Sequence, residues 1–367
     1  MLNRRKERLR WPLITARAVC LAWSMIGITH AAVAQTRPVR PISVVATPNP
    51  NVFPLLLALD RHPQLPVTLI AVSDGASMDK AFAEQSADAV LAMTPTIASK
   101  VATGAFPPLR LTDITLWRGF AAIVMGNVPA RTLADLKGKG FIVSGPTTGG
   151  HGGGPDLLFQ AAMERSGLKP KDLLICYLPV KVGVDWLMGH KPLGDHANCE
   201  PDKDVAAVAM LLVEPAVSAV SLMSRMPFRP SVDARIDIEP IFTGFTAWPL
   251  DQLPHGGLAV RITTLDDKAR ADAVHQLRVA YAEAIDEINA ARDRSITRLS
   301  LARTIANGFD RYYAHMGLEL PAFALANALG DKRLVYRRDL SVEAVSNDLL
   351  RLMDEVLRRK VPPSFYK

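Results

Sequence analysis

Cysteine is scarce in this sequence: among 367 residues there are three, Cys20, Cys176 and Cys199, and their spacing matches no tight zinc pattern. No stretch of about 20 apolar residues occurs, so a membrane-spanning helix is not expected. The chain has no Gly-x-Ser-x-Gly elbow and no His-Glu-x-x-His, the common signs of a serine hydrolase or a zinc protease. Nucleotide signatures are missing as well. A dinucleotide fingerprint read from Gly150 would need glycine where Pro155 stands, and no Gly-Lys-Ser/Thr follows the glycine-rich stretch.

The basic excess is confined to one end. The chain has 43 Lys/Arg against 36 Asp/Glu, and residues 1–34 hold six of the former and one of the latter. The chain after residue 34 therefore carries 43 − 6 = 37 basic and 36 − 1 = 35 acidic residues, a formal charge of +2 in place of +7. No basic stripe with interleaved aromatics remains, and no nucleic-acid partner is expected. The first residues read as a secretory signal: Arg4, Arg5, Lys6, Arg8 and Arg10, then an apolar run from Leu13 to Ile28, then the cleavage pattern Ala32-Val33-Ala34 before Gln35. Arg17 interrupts the run, against a membrane anchor, and Cys20 lacks the small-residue context of a lipid attachment site. Arg4-Arg5 leaves a twin-arginine route open beside an ordinary leader. The expectation is a periplasmic protein cleaved after Ala34, with 367 − 34 = 333 residues remaining, enough for two domains.

The stretch that organises the rest is Phe141 to Pro155, in which a β-prone run empties into hydroxyls and glycines and leads at once into the helical pattern Asp156 to Ser166. Strand, glycine turn and helix start together leave several backbone N–H groups and the positive end of a helix dipole bare, which makes an anion cradle. The competing reading is a loop whose glycines only relieve sterics.

Around it the chain alternates strand and helix. Strands are expected at Pro41 to Ala46, Val67 to Val72 and Ala87 to Ala92, and helices at Phe53 to Leu59, Ser77 to Gln85 and Ile97 to Thr103, the pattern of a parallel sheet faced by helices. Two strands then follow without a helix, Leu109 to Leu116 and Gly119 to Met125. A second alternation runs through strand 140–144, helix 156–166, strand 173–178, helix 181–188 and strand 205–213. Beyond lie a helix from Pro215 to Ser224, strands near Ile236 to Ile241 and Gly257 to Ile262, and after Asp266 only helix: Lys268 to Ala291, Ile296 to His315, Pro321 to Leu329 and Val342 to Lys360. Two α/β halves leave a cleft to which strand ends and helix starts turn, the place where open α/β sheets bind ligands.

Several segments carry a family resemblance: the leader, the turn after the first strand, Ala87-Asp88-Ala89-Val90-Leu91-Ala92, Leu133-Ala134-Asp135-Leu136-Lys137-Gly138-Lys139-Gly140, Ser166-Gly167-Leu168-Lys169-Pro170-Lys171-Asp172, Tyr177-Leu178-Pro179 and Val213-Glu214-Pro215. Their order and spacing resemble the periplasmic solute-binding proteins of nitrate/sulfonate/taurine-type ABC importers, over nearly the whole chain after the leader. The resemblance implies an α/β two-domain periplasmic-binding-protein fold of the type II, venus-flytrap kind with a helical C-terminal region. Domain I would comprise residues 35–125 with part of 255–367, and domain II residues 126–250. It implies a monomer with no cofactor, one small ligand in the interdomain cleft and delivery to a membrane permease. The family's pocket segments fall on Asn49 and Asn51, on Thr94 and Thr96, on Thr147, Thr148 and Gly149, and on Glu214. His151, among the glycines, is either solvated or a donor over the ligand.

Plainer readings stand beside these. Asn51 and Thr96 could merely cap the helices after them, and Glu214 could pair with a structural arginine. Export allows a disulfide between Cys176 and Cys199. The alternative use of Cys199, with His190, His196 and Glu200 as metal ligands, lacks a tight spacing. A backbone-amide cradle suits a sulfonate, nitrate or carboxylate and Glu214 a cationic or hydroxylated group, so the ligand is expected to be anionic or zwitterionic. An enzyme on the same fold, like the relatives that make a thiamine pyrimidine, would need a cysteine-rich motif that this chain lacks. A receptor-coupled sensor would look the same in sequence as a transport protein. If the leader is read correctly, N-terminal sequencing of the exported protein begins at Gln35; a secreted chain that retains Arg4 to Arg17 contradicts it.

Overall fold

The computed structural model describes residues 39–125, 128–130, 132–145, 152–187, 207–213, 215–216, 218–219, 255–338, 342 and 360–366. The expected helix Pro215 to Ser224, strand Ile236 to Ile241 and helix Val342 to Lys360 lie largely or wholly outside them. Val39–Lys367 form one compact unit, and two sheets run through it.

The first sheet begins with β1 (Ile42–Ala46), β2 (Val67–Ala71) and β3 (Ala89–Met93), joined through α1 (Val52–Arg61) and α2 (Gly75–Ala83). These three strands are parallel, as the alternation requires, with β1 between β2 and β3. Their residues are apolar on both faces because both faces are covered. Val44, Ala46, Ala89 and Leu91 join one buried cluster and Val45, Val90 and Ala92 the other, the period of two that a strand imposes.

The remainder of this sheet departs from the parallel expectation. α3 (Thr94–Ala102) leads to β4 (Leu109–Arg118), and β9 (Gly256–Arg261) inserts between β3 and β4, antiparallel to both. A two-residue strand, β10 (Val335–Tyr336), pairs antiparallel with β4, giving the order β10-β4-β9-β3-β1-β2. It lies where only helix was expected: two residues show no alternation, and pairing with β4 alone defines them as strand.

Gly119 is the whole connection from β4 to β5 (Phe120–Val124), which belongs to the second sheet. That sheet has the order β5-β8-β6-β7. β6 (Gly140–Gly145) runs parallel to β7 (Leu174–Pro179) and β8 (Ala207–Val213), while β5 is antiparallel to β8. α4 (Gly154–Arg165) and α5 (Val180–Leu187) complete the crossovers. Phe159 of α4 stacks on Phe141 of β6 at 4.3 Å between ring centroids.

The helical C-terminal region is α6 (Ile262–Asp266), α7 (Lys268–Ala291), α8 (Ser295–Tyr313) and α9 (Ala322–Gly330). The Asp267 carboxylate caps α7 by accepting from the Ala269 N–H. Leu277, Ile285 and Ile288 on one face of α7 and Leu301 and Ile305 on α8 are buried with Leu55, Leu56 and Leu57 of α1.

Gly257 shows how closely β9 and β4 approach: a Cβ there would lie 2.1 Å from the Asp113 carbonyl oxygen, a backbone atom that cannot step aside. Gly257→Ala is therefore expected to cost about 3 kcal/mol, read as a lowered urea midpoint; an unchanged midpoint contradicts this packing.

Candidate functional site

The loop from β1 to α1 is built on three carbonyls and three distant tyrosines. The Tyr313 hydroxyl of α8 donates to the Ala46 carbonyl at 3.0 Å, Tyr336 of β10 to that of Pro50 at 2.7 Å and Tyr281 of α7 to that of Asn51 at 2.6 Å. All three are buried, and burial pushes their hydroxyls above the ordinary value of 10.0. Nothing local in the sequence could have found them, since 230 to 286 residues separate them from their acceptors.

Within the loop the side chains run in a relay. The Asn49 amide donates to the Thr47 carbonyl and hydroxyl, both at 2.9 Å. Its Oδ1 accepts from the Asn51 N–H at 2.9 Å and the Asn51 Nδ2 at 2.7 Å. Asn51 is fully buried and makes no side-chain cap to α1, so the capping alternative does not hold for it. Its amide lies against Gly256, where a Cβ would stand 1.9 Å from Oδ1. Glycine is what admits the asparagine.

Gly256 pairs with Met93 at the end of β3. The next residue, Thr94, donates its N–H to the His255 carbonyl at 2.9 Å and is the first residue of α3, which starts three residues before the expected Ile97. Pro95 in the first turn, where its missing N–H costs nothing, explains the shift. Thr96 lies inside the helix and no side chain caps α3, so the capping alternative fails here too. Thr94 is fully buried, Thr96 nearly so, and Asn49 half-buried.

Thr147, Thr148, Gly149, His151 and Glu214 lie outside the described residues, as do the alternative ligands His190, His196, Cys199 and Glu200. What is described of the glycine stretch corrects one expectation. The Gly152 N–H is not bare: it donates to Asp156 Oδ2 at 2.7 Å, while Asp156 Oδ1 accepts from the Tyr177 hydroxyl at 2.8 Å and the Gln160 amide at 2.9 Å. Asp156 is completely buried in the first turn of α4, so the helix dipole already has a carboxylate of the chain's own. Burial, and then the charge of Asp156, raises the pKa of the Tyr177 hydroxyl. The sequence does carry this signal, an acid three residues after a glycine cap.

The two sheets meet here. A Cβ on Gly154, at the head of α4, would lie 2.5 Å from Met93 Sδ. Met93 thus adjoins the start of α4 on one side and, through its pairing with Gly256, the Asn51 amide on the other, with Thr94 next in the chain. The side chains at the ends of β1 and β3, Thr47, Asn49, Asn51, Thr94 and Thr96, are uncharged donors and acceptors. Cys176, in β7, is disulfide-bonded; Cys199 lies outside the described residues. Among the described residues no group of three or more His, Cys, Asp or Glu could hold a metal ion, and no helix is long and apolar enough to cross a membrane.

This architecture is shared with solved structures. The chain has the periplasmic-binding-protein fold. The periplasmic aliphatic sulphonate binding protein SsuA of Escherichia coli matches with a TM-score of 0.58 at 17% identity, over 87% of this chain and 87% of that one. The alkanesulfonate-binding protein SsuA of Xanthomonas axonopodis pv. citri, bound to MOPS, matches with a TM-score of 0.54 at 18% identity over 89% and 96% of the two chains. A Candida albicans gene product described as having the generic periplasmic binding protein fold matches at 0.53, with 13% identity over 87% and 94%. The fold inferred from the resemblance is borne out by these neighbours. No protein-family model and no curated protein matches the chain.

The buried tyrosines make the loop sensitive to alkali. Each hydroxyl keeps its proton in the folded protein above the pH at which the unfolded chain loses it, so stability is full below about pH 10 and falls as pH rises, by roughly 1.4 kcal/mol per unit per tyrosine. Tyr336→Phe is expected to flatten that slope by one tyrosine and to cost about 1 kcal/mol at neutral pH, because the Pro50 carbonyl loses one of two donors and keeps the Phe53 N–H at 3.2 Å. Chemical denaturation from pH 7 to 11 measures both.

Proposed function

We propose that the protein is the extracytoplasmic solute-binding component of an ABC importer, taking a small anionic or zwitterionic organic molecule in a cleft between its two sheets and handing it to a membrane permease. The observation that carries this reading is the set of neutral hydrogen-bonding side chains that follow β1 and β3, with Asn51 lying against Gly256 and Met93, which pairs with Gly256, against the glycine-led start of α4. Such groups bind through donors and acceptors. The binding-protein fold, and sulfonate-binding neighbours within it, support the same role. The protein acts as a binding protein rather than an enzyme, as a periplasmic monomer released after Ala34, with Cys199 as the disulfide partner of Cys176.

In this reading the lobes are 35–125 with part of 255–367 and 126–250, except that β5 goes with the second lobe, in whose sheet it pairs. Asn49, Asn51, Thr94 and Thr96 meet the ligand from the first lobe. Thr147, Thr148, the Gly149 backbone, His151 and Glu214 meet it from the second. Because Asp156 takes up the end of α4, the anionic group is held by the amides and hydroxyls of residues 147–149 rather than by the helix dipole.

A thermal-shift screen of alkanesulfonates, MOPS, nitrate, carboxylates and amino-sulfonates tests this role. A true ligand at 100 Kd adds about 2.7 kcal/mol of stability. Gly149→Asp, which puts a side chain and a negative charge where the anion must come close, is expected to weaken a hit by roughly 10- to 1000-fold while the protein stays folded. An unchanged Kd in the folded variant removes the glycine stretch from the site.

A further inference from the structure

Two polar atoms at the ends of β1 and β3 have no hydrogen-bond partner although their residues are fully buried: Asn51 Oδ1 and Thr94 Oγ1. The orientation of the Asn51 amide follows from its neighbours. A carbonyl only accepts, so the Asn49 group facing the Thr47 carbonyl must be its NH2. The other end of Asn49 is then an oxygen, as the Asn51 backbone N–H that donates to it also requires. Asn51 must turn its own NH2 to that oxygen, which leaves Oδ1, an acceptor, facing away from the relay. A flip would set two oxygens against each other.

Both residues adjoin one short segment. Oδ1 lies against Gly256, and Thr94 is tied through its N–H to the carbonyl of the preceding residue, His255. Both stand at the carboxyl ends of parallel strands, where α/β proteins take their ligands. Native proteins leave few buried acceptors without a donor, because an unmade bond there costs the desolvation of the group.

We propose that Asn51 Oδ1 and Thr94 Oγ1 select a ligand bearing an N–H or O–H donor, an amino- or hydroxy-substituted organic anion in preference to the unsubstituted anion. This rests on the binding role proposed above and narrows it. A freely rotating asparagine could turn its NH2 to a carboxylate or sulfonate oxygen. The relay from Thr47 through Asn49 denies it that choice, so an anionic oxygen against Oδ1 is repelled and a donor is accepted. Asn49 and Thr47 are accordingly positioning residues for this selection.

Calorimetry on the full chain with propanoate, 3-hydroxypropanoate and 3-aminopropanoate, and with ethanesulfonate and its 2-hydroxy and 2-amino forms, tests the proposal. At least one substituted anion should bind about 10-fold or more tighter than its parent, since a site built around a donor penalises the analogue that lacks it. Thr94→Val should erase most of that preference and Thr94→Ser restore it. The unliganded Thr94→Val protein should melt no lower than wild type, because the change removes an unpaired buried hydroxyl and keeps the shape. Equal binding of parents and substituted anions overturns donor selection and leaves the binding role standing. A lowered melting temperature for Thr94→Val with its preference intact makes the hydroxyl structural and also overturns the proposal. Binding of none of the six compounds overturns the proposal, and no shift with any compound of the wider screen overturns the anion-binding role as well.

Discussion

The β1–α1 loop is held by hydrogen bonds that reach it from the far end of the chain. A buried backbone carbonyl has two lone pairs to satisfy, and those of Ala46 and Pro50 give one each to the N–H groups of Val72 and Phe53. Here Ala46, Pro50 and Asn51 find tyrosine hydroxyls from α8, β10 and α7. The C-terminal helices thus do more than cover one face of the first sheet. Their apolar faces pack on α1, and their tyrosines set the height and direction of the loop above it.

With the loop pinned, a neutral polar cluster can be assembled with few degrees of freedom. The relay from Thr47 to Asn51 is short and each member accounts for the next, while Gly256 and Gly154 let an amide and a helix start approach strand ends to distances that any side chain would forbid. Ionic groups serve elsewhere: Asp88, which precedes β3, accepts from the Ser43 N–H, the Thr264 hydroxyl and Arg270 at the opposite edge of the sheet. At β1 and β3, therefore, the amino end carries a charged, mutually satisfied group and the residues after the carboxyl end are uncharged and partly unsatisfied.

Legibility in the sequence tracks the range of the forces involved. β1, β2 and β3, the long α7 and the strand–glycine–helix passage through β6 and α4 are readable, because apolar period and turn chemistry act within a few residues. The start of α3 is hidden because Met-Thr-Pro reads as a turn when taken alone, and β10 escapes notice because two residues carry no period. Among the candidate site residues, the positions of Asn49, Asn51, Thr94 and Thr96 after strand ends are legible. Their burial, and the failure of Asn51 and Thr96 to act as caps, are not.

The sequence by itself determined the order of strands and helices, the two-sided burial of the first parallel strands and the polar, uncharged character of the segments that end them. Those properties reside in single residues and their near neighbours. Only the tertiary structure decided that β9 would enter between β3 and β4, that Asp156 would occupy the end of α4, and that the Asn51 amide would be locked with its oxygen free. Each of these depends on which groups meet across long stretches of chain, and hydrogen bonds and close packing act on distance in space, which the spacing of residues along the chain does not encode.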